Sequence, residues 1–182
     1  MQLLDENIER RIRKSLLPEQ IITLNDYPVH SATVLGKYFD LFCSGKYKEL
    51  QPVPVIHKSI GMLQTPSEDS LSFNLSLQKY LEENPVAEYF LLNGNHRTTA
   101  ATLSRTLIEV YAFEHDGDID YARRVSENDI LVEPTLSANC DDLGRHFCRT
   151  VRFETVREKT ERMVVDRVIP LRMIEYYLAG NQ

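Results

Sequence analysis

Cysteine is scarce in this chain, and the three that occur, Cys43, Cys140 and Cys148, follow no pattern. An odd number cannot pair completely within one chain. No Cys-x-x-Cys spacing or histidine at a zinc-ligand interval accompanies them, which argues against a structural zinc site or a dithiol redox centre. Cys140 and Cys148 read as small apolar fillers on helices. Long hydrophobic runs are also missing. The opening Met1-Gln2-Leu3-Leu4-Asp5-Glu6 runs straight into charge, and nothing further on approaches a membrane span. A cytoplasmic protein with no membrane partner is the expectation. Excess positive charge is lacking too: the formal net charge is −6, which argues against a large nucleic-acid footprint, since neutralising phosphates supplies most of that affinity.

What is present is an ordinary globular composition, 42% hydrophobic and 26% charged over 182 residues, enough for one good core. The expected division is a single domain made of an N-terminal helical section (1–48), a central core (49–134) and a C-terminal helical section (135–182). Asp5 can cap a helix that runs to about Leu17, with Ile8, Ile12 and Leu16 on one face and Pro18 as its stop. A second helix is expected over 31–43, closed by Ser44-Gly45. Val53 to Ile56 reads as an edge or entering strand, because Pro52 and Pro54 cannot donate to an interior ladder. The polar stretch 61–72 reads as a loop, and 73–81 as a short helix before Asn84-Pro85.

The apolar run Tyr89-Phe90-Leu91-Leu92 suits a buried strand. A helix of small residues is expected over 97–105, and a strand over 108–113. Together they suggest a βαβ-like unit with a right-handed crossover. Further helices are expected over 137–149, near 155–166 and after Pro170. The fold class is therefore α+β: a small mixed sheet with a strand-turn-helix-strand unit, flanked by N- and C-terminal helices.

Chemistry concentrates in the turn Asn93-Gly94-Asn95-His96-Arg97-Thr98. A helix N-terminus leaves amides without intrahelical partners and carries partial positive charge. Gly94 lets a phosphate approach the backbone, Asn95 can cap or donate, Arg97 offers a fork of donors, and Thr98 adds a hydroxyl. His96 and Arg97 would stand in the first helical turn, where cations oppose the macrodipole by about 0.3–1 kcal/mol each. An arriving anion reverses that balance. The competing reading is a plain Asn-Gly turn with His96 packed and Arg97 solvated.

The turn resembles that of the ParB/sulfiredoxin superfamily, whose members carry Gly-x-His-Arg or Gly-x-Arg-Arg between a strand and a helix. The similarity covers roughly 52–123. It implies that Asn93, Gly94, Asn95, His96, Arg97 and Thr98 hold a nucleotide (ATP or ADP, or CTP), with Mg²⁺ accompanying a triphosphate. The activity it implies is that of an ATPase or small-molecule kinase. His96 would position or polarise the phosphate, and Glu68 or Asp69 would supply the acid or base. Asn95 replaces the sulfiredoxin cysteine, so sulfinic-acid reduction is not expected. The glutamate of the ParB-type CTPases is missing, and the aspartate of the free-serine kinases is Asn93 here. Two alternatives follow. One is a DNA-binding protein or nuclease using Arg145, Arg149 and Arg152. The other is a regulatory module that has lost catalysis.

Three further features admit both a chemical and a structural reading. His57 at a strand end could face the site or serve only packing. The run Glu114-His115-Asp116-Gly117-Asp118 could bind a metal or form a polar turn. Tyr176-Tyr177 could close an apolar face or an oligomer contact.

Overall fold

A computed structural model describes residues 2–23, 27–60, 68–125 and 152–180, with side chains from residue 7 in the first stretch and from residue 71 in the third. The expected first helix is cut short. Helix α1 (Gln2–Ile12) gives way at once to strand β1 (Arg13–Leu16). Ile12 and Leu16 share a helical spacing, yet they enter opposite cores of the molecule. Pairing of β1 with a partner far along the chain overrides the local 3.6-residue pattern. A 3₁₀ turn over Pro18–Gln20 follows, closed by Gln20 Oε1 accepting from Leu17 N at 2.8 Å, and leads into β2 (Ile21–Thr23).

Helix α2 (Ala32–Cys43) forms where expected, with Ser31 Oγ accepting from Val34 N and a left-handed Gly45 beyond its end. Strand β3 (Val53–His57) is also present but is not an edge. It lies between two partners, and Pro54 is tolerated for a local reason. The Pro54 carbonyl accepts from Leu92 N, so its ring nitrogen faces the same side, where the neighbouring ladder has already reached its last pair, Val55 with Leu91. Helix α3 (Glu68–Glu83) starts five residues earlier than expected, inside the stretch read as loop.

Strands β4 (Tyr89–Leu91) and β5 (Ile108–Phe113) are joined through α4 (Asn95–Leu103). They are not a βαβ crossover. β3 lies between them, antiparallel to β4 and parallel to β5, so β4 and β5 run antiparallel. Helix α4 therefore links strand ends at the same end of the sheet. Helix α5 (Asp116–Val125) follows. After the next described residues come β6 (Glu154–Thr155), α6 (Val156–Val165) and α7 (Leu171–Ala179). The helix expected over 137–149 falls outside the described residues.

The sheet is six-stranded and mixed, in the order β1-β5-β3-β4-β2-β6. Strands contributed by both supposedly helical sections, β1 and β2 from one and β6 from the other, widen the expected three-stranded core. Alternation sorts β5 cleanly: Ile108, Val110 and Ala112 face one core, Tyr111 and Phe113 the other. The first core is covered by α2, α4, α6 and α7, and the second by α1, α3 and α5. The architecture is α+β, with helices on both faces of the sheet.

Candidate functional site

The turn sits at the carboxyl ends of the parallel pair β2 and β4. Asn93 Oδ1 accepts from Gly94 N at 2.7 Å, which bends the chain out of β4. Gly94 has φ +101°, and a Cβ placed there would stand 2.7 Å from Val53 Cγ1. Glycine is required both by the backbone conformation and by the close approach of β3. Helix α4 begins with Asn95, and its first backbone bond runs from Thr98 N to Gly94 O at 2.9 Å. Gly94, the residue at the capping position, has no side chain to cap this end, and the first turn carries no acidic residue. The amides of residues 95–97 precede the first intrahelical bond, at the positive end of the macrodipole.

The Asn95 side chain turns sideways instead of capping. Its Oδ1 accepts from Thr23 Oγ1 at 3.0 Å and from Lys159 Nζ at 2.9 Å; Lys159 Nζ also lies 3.4 Å from Thr23 Oγ1. Lys159 is 2% exposed. Strand β2, parallel to β4, brings Thr23 level with the exit of β4, while β6 leads directly into α6 and so delivers Lys159. Lys159 was not among the residues expected at the site. It sits in the charged run Arg157-Glu158-Lys159, which reads as a solvated face. Its signal is positional: it stands three residues after Val156 and four before Met163, on the buried stripe of α6.

The expected ligands divide. His96 Nε2 accepts from Ser31 N at 3.2 Å, which requires the tautomer with its proton on Nδ1, and its ring meets His30 edge-on at 4.5 Å. His96 thus ties the start of α4 to the cap of α2. The Arg97 guanidinium donates to the Gln51 carbonyl and lies 5.7 Å from the Tyr38 ring centre, and its Nε is buried without a hydrogen bond. The Thr98 hydroxyl donates back to the carbonyls of Gly94 and Asn95, so its proton is used inside the helix. Glu68 and Asp69 form the first turn of α3, a helix packed on the sheet face opposite α4; their side chains lie outside the described set. His57 pairs with Tyr89, at the far end of β4 from the turn, and Ser59 Oγ lies 2.7 Å from its Nδ1.

The run 114–118 is a polar turn. Asp118 is fully buried; its Oδ2 accepts from Glu114 N and His115 N, each at 2.9 Å, and its Oδ1 accepts from the Arg11 guanidinium. Among the described residues no group of histidines, cysteines or carboxylates is arranged to hold a metal. Nor, among the described residues, is any helix long and apolar enough to cross a membrane. Arg145 and Arg149 lie outside the described residues, as do Cys140 and Cys148. Arg152 is exposed beside Glu154 at 3.7 Å. Tyr176 and Tyr177 pack against the Arg105 guanidinium.

Comparison with known proteins finds no family model, curated protein or solved structure that matches the chain. Function rests on the geometry of the turn and its surroundings.

Proposed function

We propose that this protein binds a phosphorylated ligand, a nucleoside di- or triphosphate, at the start of α4, in the manner of the ParB/sulfiredoxin-like proteins its turn resembles. One observation carries the reading: a helix start behind a left-handed glycine that has no side chain to cap it, with the buried ammonium of Lys159 bonded to the first residue of that helix. Amides of a first turn and a desolvated cation are complementary to phosphate oxygens. Lys159 is then the principal charged ligand, and the amides of residues 95–97 are the cradle. Arg97, already bonded to the Gln51 carbonyl, contributes its field and ties the start of α4 to the chain leading into β3.

A Mg²⁺ ion accompanying a triphosphate would take phosphate oxygens and water as its ligands, the usual arrangement for this hard cation. Phosphoryl transfer, as an ATPase or small-molecule kinase, is the finer form of the proposal. It requires a general base; the turn's resemblance would assign Glu68 or Asp69, but both begin a helix on the sheet face opposite α4, so the base is left open in this reading. Crystals grown with a non-hydrolysable ATP analogue test the site itself. Phosphate density against the amides of residues 95–97 and Nζ of Lys159 is the expected result; density elsewhere overturns the assignment.

A further inference from the structure

The other end of α4 borders a cavity of about 160 Å³, lined among others by Leu17, Arg105, Thr106, Leu107, Arg157 and Tyr177. We propose that this cavity is a second binding site, for a short organic carboxylate.

Arg105 is the first reason. It stands in the left-handed region at φ +57°, in the turn that closes α4, where Arg105 N bonds Thr102 O and Thr106 N bonds Ala101 O. Glycine is the default residue in such a helix-closing turn, so an arginine there is held by what its side chain does. Its guanidinium donates to the carbonyls of Tyr176 and Tyr177, at 3.0 and 2.6 Å, through one nitrogen. It makes no ion pair among the described residues. Arg157 reaches the same cavity from α6. Its Nη1 lies 3.3 Å from Glu19 Oε1 and its Nε 3.9 Å from Glu161 Oε1, and half of its side chain is exposed, so a ligand carboxylate would share or displace these exposed pairs. Two guanidiniums fixed by separate elements match the oxygens of a carboxylate.

The apolar wall is the second reason. Leu17 and Leu107 are 47% and 46% exposed, and both line this cavity. An anion with a short hydrocarbon body would cover them while its head meets the arginines. The volume lies below the roughly 300–1,000 Å³ of pockets that take drug-sized ligands, which excludes a nucleotide and keeps this site distinct from the turn at the start of α4.

Thermal-shift and calorimetric titrations of the full chain with butyrate, its neutral isostere butyramide and inorganic phosphate test the proposal. Butyrate is expected to stabilise saturably and the other two are not. Arg157→Gln weakens butyrate at least about tenfold, as expected for removal of a charge-assisted bond, and Leu107→Glu abolishes its binding by repulsion. Lys159→Met leaves it unchanged, which separates this site from the nucleotide site. Equal binding of butyramide, preference for phosphate, or an unchanged response in Arg157→Gln would each overturn the proposal.

Discussion

Lys159 on α6 donates to the side-chain oxygen of Asn95 at 2.9 Å, joining the first residue of α4 to a helix 64 positions further along the chain. The bond gives Asn95 a use that helix capping alone does not. It also places a buried cation beside the helix start proposed to receive a phosphate. Burying an ammonium costs several kcal/mol before its partners compensate it.

Replacing that charge isolates its purpose. Lys159→Met keeps most of the apolar stem and removes the ammonium, and Asn95 Oδ1 retains its bond from Thr23. Urea denaturation of the unliganded variant should show stability lowered by no more than about 3 kcal/mol, the cost of leaving buried partners without a charged donor, so that the variant remains folded. A larger loss would mean that the lysine is there chiefly to hold the fold.

Gly94 should tolerate no side chain. Gly94→Ala adds the strain of a left-handed backbone and an overlap with Val53. Together these should lower stability by about 2–4 kcal/mol, measured by chemical denaturation. A loss below about 0.5 kcal/mol, the scale of an ordinary surface substitution, would show that the turn relaxes and that the close approach of β3 is not a constraint.

Arg97 and Lys159 should fail differently. Arg97→Ala removes a charged hydrogen bond to the Gln51 carbonyl and a contact with Tyr38. It should cost about 2–3 kcal/mol of stability and weaken nucleotide binding less than Lys159→Met does. Undiminished stability with nucleotide binding lost would place the guanidinium on the ligand instead.

Alkaline pH should destabilise the fold. Burial pushes the Tyr80 phenol above its ordinary value of 10.0, and its hydrogen bond to Glu158 adds to the effect. The unfolded phenol ionises near pH 10 while the folded one keeps its proton. Above that point the unfolded state binds fewer protons, and stability falls as pH rises. Lys14 acts in the same direction. Its burial opposes the charge, but hydrogen bonds to Tyr89 and Glu114 outweigh it and leave the ammonium raised, so its contribution is present below pH 10.5 and lost above. Denaturation midpoints between pH 8 and 11 should fall less steeply in Tyr80→Phe than in the parent chain. Equal slopes would contradict this.

Local signals in the sequence are enough to find α2, from its Ser31 cap and apolar periodicity, α4, from the Asn-Gly turn followed by small residues, and β4 and β5, from short apolar runs. The start of α3 was missed because the residues before Phe73 are polar and carry no apolar stripe. β1, β2 and β6 were missed for another reason. Each is two to four residues long and exists only through pairing with distant strands. The antiparallel relation of β4 and β5 depends on β3 standing between them, which no local pattern records. At the site, Gly94 and the helix start were legible from the turn. The inward commitments of His96 and Arg97 were not, since their partners Ser31 and Gln51 are set by packing; the Thr98 bonds to its own helix follow from the helix itself. Lys159 was legible only as a lysine on an apolar stripe.

Isothermal titration of the parent chain and Lys159→Met with ATP, ADP, CTP and GTP, with and without Mg²⁺, tests the central claim most directly. Saturable binding of at least one nucleotide to the parent chain, weakened at least about tenfold in a Lys159→Met variant that remains folded, is the predicted result, a tenfold change being about 1.4 kcal/mol. No heat with any nucleotide, or equal affinity in the two chains, would contradict the account.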